Sequence, residues 1–325
     1  GGYNMVRHAG VLWAMLRLYK SVKDDRLLES ALNGTRYLIN SLDIEGSRAY
    51  LGKNERSVLG GTALATLALL NLPKEHYSNK IRKITRSLGR GILSLQHASG
   101  AFYITFDDKK NGRLLTPPPR FYPGECLLAL TELWQQETSQ MWSLAARKAA
   151  HNQISAFRRN GVNCHWSVQG VVQVGRILHS RPIICAAGEM AERLMRGQNK
   201  ELGTKLYGSW HTSIGEPTAC SAACRLEALG PAIEALRSVD EPVAHLERIM
   251  LRGAQFIINE QFREDNAFLL HTPLEAIGGI RRSPSCFAIR MDINQHAIAA
   301  LLNTLLLLRQ RPCLAAALME ANSRG

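Results

Sequence analysis

The chain has 325 residues, of which 46% are hydrophobic and 21% charged, and its formal net charge is +13 at a pI of about 9.7. It contains no charge-free apolar run of about 18 residues, so the sequence predicts no membrane span. No Arg/Lys tract is interleaved with aromatic residues, and we therefore expect no specific nucleic-acid partner. The positive charge favours an anionic glycan or another acidic ligand, although much of it fits solvated helix faces.

Apolar residues at helical spacing predict paired helices along the whole chain. The predicted helices are 4–22, 24–42, 60–72, 77–96, 124–136, 139–159, 166–179, 182–198, 218–238, 242–262, 292–310 and 312–322. Gly230-Pro231 predicts a break in the ninth of these helices. Residues 99–106 alternate like a strand that pairs with 114–116 across a turn at 109–112, and the proline run 117–119 is expected to be extended. Residues 44–59 read as irregular, and 263–290 are predicted to hold a hairpin.

Every second predicted helix begins with charged, histidine or small residues. Twelve helices in six hairpins is the plan of an all-α (α/α)6 toroid, with short β-hairpins in its rim loops. An open superhelix of hairpins is the competing architecture. Six hairpins are the number that closes a ring, and the long loops follow only the even helices. We therefore expect one toroid domain over 1–325, with the starts of the inner helices lining a single pocket.

The even helices also end alike, in segments such as 36–40, 91–96, 153–157 and 255–259. After three of them, a Gly, Asn or Asp precedes an aromatic or apolar pair. This degenerate repeat indicates repeated supersecondary units.

Candidate catalytic residues stand at the starts of the inner helices. Glu125 follows Tyr122-Pro123-Gly124, where the helix dipole stabilises a carboxylate. Asp292 holds the same position in the helix 292–310. The predicted catalytic set is Glu125, Asp292, His165, His296 and Tyr122. A capping role is the alternative for each carboxylate.

The predicted substrate-binding residues are polar or flat side chains close to those positions. They are Arg7, His8, Trp166, Arg225, Glu227, Arg290, Gln295, Trp210 and His211. A tryptophan beside a histidine suits stacking on a sugar ring. A buried arginine needs an acidic partner, so a purely structural lattice of arginines and carboxylates is the alternative.

This combination of groups allows two kinds of glycan chemistry. Paired carboxylates across a pocket can perform acid/base work on a glycosidic bond. A His or Tyr with an Arg could instead abstract the proton α to a uronate carboxylate.

Seven cysteines is an odd number without a CxxC spacing, and Cys220 and Cys224 fit small core positions. We expect no metal and no cofactor. Unpaired cysteines favour a cytoplasmic location. The Gly-Gly-Tyr start leaves a removed signal peptide or a preceding domain open as alternatives.

The six-hairpin pattern resembles the α/α-toroid superfamily, which includes six-hairpin glycosidases, polysaccharide lyases, terpenoid cyclases and the helical domain of D-glucuronyl C5-epimerases. The stretch from Phe287 to His296 is similar to the segment that opens the last inner helix of the epimerase domain. The fold resemblance covers nearly the whole chain, and the motif covers about ten residues. The Asp-rich motif of terpenoid cyclases and the Cys/Cys-His zinc pattern of lanthionine cyclases are missing.

The resemblance implies a carbohydrate-active enzyme, and the basic charge suggests an acidic, uronate-containing glycan. Epimerase, lyase and hydrolase remain open as reaction types. The alternative is a noncatalytic toroid that serves as a binding or scaffold domain of a larger polymer-biosynthesis protein. An isoprenoid-processing toroid fits less well, because only 6% of the residues are aromatic.

Overall fold

The computed structural model describes residues 4–52, 58–115, 120–161, 163–211, 215–268 and 270–314. The chain divides into two compact units, residues 1–194 and 195–325. A single toroid domain over the whole length stays a prediction, and each unit is described by itself. Among the described residues, no helix is both long and apolar enough to cross a membrane.

The first unit consists of helical hairpins and one small antiparallel sheet. Its helices are α1 Met5–Val22, α2 Asp25–Asn40, α3 Val58–Leu70, α4 Asn79–Ser94, α5 Phe106–Lys110, α6 Tyr122–Gln136, α7 Gln140–Asn160, α8 His165–Ile177 and α9 Arg181–Met195, which ends at the boundary of the unit. A 3-10 helix, Lys74–His76, precedes α4. The strands β1 Leu42–Glu45 and β2 Arg48–Leu51 form a hairpin in which Leu42 lies opposite Leu51.

The second unit has the same character. Its helices are α10 Ala219–Arg237, α11 Ala244–Asn259, α12 Glu264–Ala267, α13 Pro273–Ala276 and α14 Met291–Gln310. Strands β3 Arg281–Ser283 and β4 Cys286–Ile289 form an antiparallel hairpin just before α14. This hairpin confirms the one predicted within 263–290.

Buried and amphipathic helices alternate along the first unit. All 13 residues of α3 are buried, and its sequence contains no charged side chain. By contrast, α4 buries one stripe that includes Leu88 and Ile92 and presents charged residues elsewhere. Helix α3 packs between α1 and α6, and α6 packs in turn on α8, while α2, α4 and α7 each cover their buried partners. A helix that is apolar all round must be surrounded by protein, which defines inner and outer helices in this unit.

Two sequence predictions about the first unit are wrong. Residues 99–106 form no strand beyond a single bridge at Phe102, because Thr105 caps α5 by accepting from the Asp108 backbone N–H at 3.0 Å while Asp108 bonds back to Thr105. The segment 44–59, read as irregular, instead contributes most of the β1–β2 hairpin. The proline run 117–119 and most of the predicted helix 312–322 lie outside the described residues.

A repeated backbone pattern closes three loops in the described parts of the chain, and we call it the glutamine clamp. A glutamine just beyond the end of α4, α9 or α11 forms an isolated antiparallel bridge with an apolar residue further along. The pairs are Gln96–Phe102, Gln198–Trp210 and Gln261–Ile280. The side-chain amide of Gln96 donates to the Ala145 carbonyl at 3.0 Å, and that of Gln198 donates to the Ile249 carbonyl at 2.9 Å. The first clamp therefore also fastens its loop to α7, and the second fastens its loop to α11.

Glycine is required two residues before the apolar partner in the second clamp. Gly208 has φ +83, and a Cβ there would lie 1.9 Å from the Arg252 carbonyl oxygen. We expect Gly208→Ala to lower the free energy of unfolding by at least about 3 kcal/mol in urea titrations. The matched control is Gly203→Ala, because Gly203 has φ +77 but nothing within 4 Å of its added Cβ, so it carries only the backbone cost of about 1 kcal/mol. Equal losses in both variants would contradict the clamp.

The predicted break at Gly230-Pro231 is also wrong, because α10 runs unbroken through Pro231. Proline has no N–H to donate to the carbonyl four residues earlier, which belongs to Glu227. That carbonyl instead accepts from the Asn303 side-chain amide of α14 at 3.0 Å. Gly230 allows this approach, since a Cβ there would lie 2.6 Å from the Asn303 Cβ. Packing against α14 therefore replaces the missing hydrogen bond of α10.

A double-mutant cycle tests this replacement. Asn303→Leu leaves the Glu227 carbonyl buried without that donor, and we expect it to cost about 1–3 kcal/mol of unfolding free energy. In a Pro231→Ala background the backbone N–H of residue 231 can serve the same carbonyl, so the cost of Asn303→Leu should fall by about 1 kcal/mol. The same cost in both backgrounds would show that Asn303 acts by packing alone.

Candidate functional site

In the first unit, the starts of α3, α6 and α8 lie side by side. A Cβ added to Gly60 would lie 2.4 Å from the Tyr122 ring and 2.7 Å from Oε2 of Glu125. A Cβ added to Gly124 would lie 2.5 Å from the backbone nitrogen of Ser167. The two glycines thus let the three helices touch, and they press Tyr122 and Glu125 against the first turn of α3. Glu125 is buried there, with 4% of its surface exposed.

His165 and Trp166 open α8 next to this carboxylate-bearing turn. The His165 ring lies 5.5 Å from the Phe121 ring in an edge-on arrangement and 5.0 Å from the Trp166 ring. Trp166 is 2% exposed and packs on Trp13 at 5.1 Å. It therefore supports His165 from within the core and presents no open face for stacking on a sugar. We call Tyr122, Glu125 and His165 the first-unit cluster.

Arg7 and His8 occupy the first turn of α1. Arg7 is exposed. A ring nitrogen of His8 lies 2.9 Å from the carbonyl oxygen of Gly34, and the His8 ring meets Tyr37 edge-on at 5.5 Å. His8 is therefore engaged in fastening α1 to α2, a structural task that the sequence pattern did not indicate.

In the second unit, a buried carboxylate holds a histidine across two helices. Nδ1 of His296 on α14 lies 2.7 Å from Oε2 of Glu227 on α10, and Glu227 is fully buried. Burial disfavours the charged imidazole, but the attraction and hydrogen bond of Glu227 outweigh it and raise the pKa of His296 to about 9. The imidazole is therefore protonated at neutral pH. Arg225, two residues before Glu227, points elsewhere, as the sequence spacing implied.

Two cysteines and an arginine–carboxylate pair lie in the same region. Nε of Arg290 donates to Oδ1 of Asp292 at 3.0 Å, and Nη2 of Arg290 lies 2.5 Å from Oδ2 of Asp292. Cys220 and Cys224 stand one turn apart on α10. A hydrogen bond from Cys224 lowers the pKa of the Cys220 thiol to about 7. Burial acts against this decrease, whereas the positive charges of His296 and Arg290 contribute to it. The sequence alone predicts small core positions for both cysteines. Their four-residue spacing showed that they share a helix face, but it did not reveal the cations nearby.

The remaining predicted binding residues of this unit have mixed surroundings. The Arg225 guanidinium lies over the Trp210 ring at 5.4 Å and donates to the Ser221 carbonyl at 2.9 Å. Trp210 is 1% exposed and donates to the Met195 carbonyl at 3.0 Å, so it belongs to its glutamine clamp. Gln295 is buried and His211 is exposed.

We call Glu227, Asp292 and His296 the second-unit cluster.

The His296–Glu227 pair makes stability depend on pH in a defined direction. Because the folded pKa of His296 is above its unfolded value of 6.5, the pair stabilises the fold fully below pH 6.5 and loses that effect as the pH rises through about 9. The difference in unfolding free energy between wild type and His296→Gln should therefore shrink by about 3 kcal/mol over this range. Denaturant titrations at stepped pH values measure it. His211→Gln, an exposed control, should run parallel to wild type, and a constant difference for His296→Gln would contradict the assignment.

Comparisons with known proteins define the fold class. No protein-family model matches the sequence, and no curated protein sequence matches it either. Among solved structures, those similar to the chain include α/α toroids built from six helical hairpins. This likeness confirms the predicted all-α, six-hairpin fold class.

Three of these structures come from different enzymes. An α-1,6-mannanase from Salegentibacter sp. has a TM-score of 0.66 at 11% identity, with 94% of this chain and 90% of that one covered. The cellobiose 2-epimerase of Spirochaeta thermophila has a TM-score of 0.62 at 15% identity, covering 93% and 86%. An unsaturated glucuronyl hydrolase from Bacillus sp., responsible for the degradation of glycosaminoglycan, has a TM-score of 0.58 at 13% identity, covering 90% and 84%.

Proposed function

We propose that this chain is a carbohydrate-active enzyme that acts on a glycan, and more narrowly on an acidic, uronate-containing glycan. The observation that carries the proposal is a buried carboxylate, Glu125, packed beside Tyr122 in the first turn of α6 and against the fully buried helix α3. Its support is a fold shared over nine-tenths of the chain with a mannanase, an epimerase and a glucuronyl hydrolase.

In the first-unit cluster, Glu125 is the candidate general acid or base. The close approach of Gly60 and the packing of Tyr122 fix the position of its carboxyl group. A carboxyl group held in one place can give a proton to, or take one from, a substrate atom within hydrogen-bond reach. His165, whose ring is held by Phe121 and Trp166, supplies a second titratable group on the neighbouring helix. Tyr122 is the candidate hydroxyl for proton abstraction from a uronate.

In the second-unit cluster, the candidate acid is His296. Glu227 fixes the orientation of its ring and keeps it protonated, so His296 can act as a proton donor at neutral pH. Arg290 contacts both oxygens of Asp292 and fixes their position. Asp292 is the candidate base or ligand for a sugar hydroxyl.

The preference for a uronate rests on charge. The chain carries a formal net charge of +13, which attracts polyanions. One structural neighbour is named for an unsaturated glucuronyl substrate. Hydrolysis, elimination and epimerisation of a uronate all remain within the proposal, because each needs a positioned acid and base.

An assay of three products on one set of glycans tests the proposal. Neutral and uronate oligosaccharides are incubated with the protein. New reducing ends report hydrolysis, ultraviolet absorbance of an unsaturated uronate reports elimination, and NMR of the ring protons reports inversion of a sugar stereocentre. Glu125→Gln and Asp292→Asn should each lower kcat about 10²-fold or more while the circular dichroism spectrum and Tm stay close to wild type.

The matched control is Glu189→Gln, which changes an exposed glutamate of α9 and should keep full activity. If no glycan is turned over, and if the two variants mainly lower Tm, the carboxylates are structural and the proposal fails. Binding of a glycan without turnover would then favour the noncatalytic alternative.

A further inference from the structure

The first unit contains a cavity at the opposite end of α6 from Glu125. Its volume is about 920 Å³, and it is lined by the residues that follow α3 and α6, by the basic face of α4 and by the start of α7. At 1.5 Å per residue, its edge at Gln136 lies about 16 Å along α6 from Glu125. This size matches the range of small-molecule sites. The cavity is therefore separate from the first-unit cluster.

The lining is strongly cationic. It contains Lys74, Arg82, Arg86 and Arg90 against one carboxylate, Glu137. Arg86 donates from Nε to Glu137 at 2.7 Å, and Trp142 donates to the other oxygen of Glu137 at 3.4 Å. This carboxylate is thus engaged on both oxygens and balances one of the four cations.

The other three cations have contacts of a different kind. The Arg82 guanidinium lies 5.9 Å from the centre of the Tyr77 ring, and Arg90 donates to the Ser47 carbonyl at 3.4 Å. Within the described residues, Lys74, Arg82 and Arg90 form no ion pair.

The arrangement is unfavourable for the protein alone. Arg82, Arg86 and Arg90 follow one another at four-residue spacing on one face of α4, where like charges repel. The first turns of α4 and α7 contain no acidic residue, and Ser139 does not cap the start of α7 with its side chain. Helix starts carry partial positive charge, so they add to the potential of the arginines. A bound anion would relieve both repulsions.

We propose that this cavity binds a ligand that carries two or more phosphate, sulfate or carboxylate groups. The arginines are spaced to engage separate anionic groups, and guanidinium forks bind such groups with paired hydrogen bonds. The ligand is either a small polyphosphorylated molecule or a short segment of an acidic glycan, and the two share the same recognition chemistry. The site stands independently of the proposed enzymatic function.

Calorimetric titration of the full chain tests this site with two probes, inorganic tripolyphosphate and trigalacturonate, with maltotriose as the neutral comparison. Arg82→Gln/Arg90→Gln should weaken binding about tenfold or more, equivalent to about 1.4 kcal/mol. The matched control is Lys80→Gln/Lys83→Gln, which removes the same charge from exposed positions of the same helix outside the cavity lining, and its affinity should stay within about twofold of wild type.

The outcomes separate cleanly. Selective loss in the arginine variant supports the site, and the probe that binds more tightly identifies the source of the ligand. Equal loss in both variants, or no binding of either anion by the wild type, overturns it. Tripolyphosphate contains no sugar, so its binding does not depend on the proposed enzymatic function, and failure of that function leaves this arm of the test unaffected. Circular dichroism of both double variants verifies that each is folded.

Discussion

The dominant constraint on the first unit is that its helix α3 has no side open to water. Helix α3 is buried at every residue, so a polar side chain on it would need a partner inside the core. Charged side chains are accordingly missing from α3. In the first unit the starts of α6 and α8 hold Glu125 and His165, and the far ends of α3 and α6 open onto arginines and lysine. At the start of α6, the helix dipole favours the carboxylate of Glu125.

A structural lattice of charges does exist, but it lies at the far ends of the inner helices. Lys20 donates to the Asn71 side chain at 2.8 Å, and Asn71 donates to Glu132 at 3.0 Å. Burial raises the pKa of Glu132 to about 7, although Arg17 and Lys20 act against this rise. This network links α1, α3 and α6 through one shared amide. From the sequence, such a lattice is predicted, as an alternative, among residues at the helix starts.

The sequence was sufficient for the helices because their apolar periodicity is continuous over many turns. Sequence patterns do not predict the structure correctly where a contact from a distant part of the chain overrides the local preference. Gly230-Pro231 looks like a helix break until Asn303, 72 residues beyond Pro231, is seen to satisfy the Glu227 carbonyl. The β1–β2 hairpin was missed because its strands are four residues long, and β1 is largely exposed and carries two acids.

The same reasoning holds for the candidate sites. The position of Glu125 at a helix start follows from Pro123-Gly124, and the helix positions of Glu227 and His296 follow from the periodicity of α10 and α14. Their pairing depends on how those two helices meet, which no local pattern records. The catalytic roles stay predictions. The basic cavity was read as a solvated helix face, because Glu137 and Trp142 approach α4 only in the folded chain.

The glutamine clamps separate loop length from core geometry. Between the glutamine and its apolar partner lie loops of very different size, which end at Phe102, Trp210 and Ile280. Each loop nevertheless leaves and rejoins the helical scaffold through the same pair of backbone bonds. Evolution, or an engineer, can therefore lengthen, shorten or exchange the chain inside a clamp without moving the helices that it fastens. The loops that the clamps close are in that sense modular, and a new recognition surface can be installed by grafting one loop at a time.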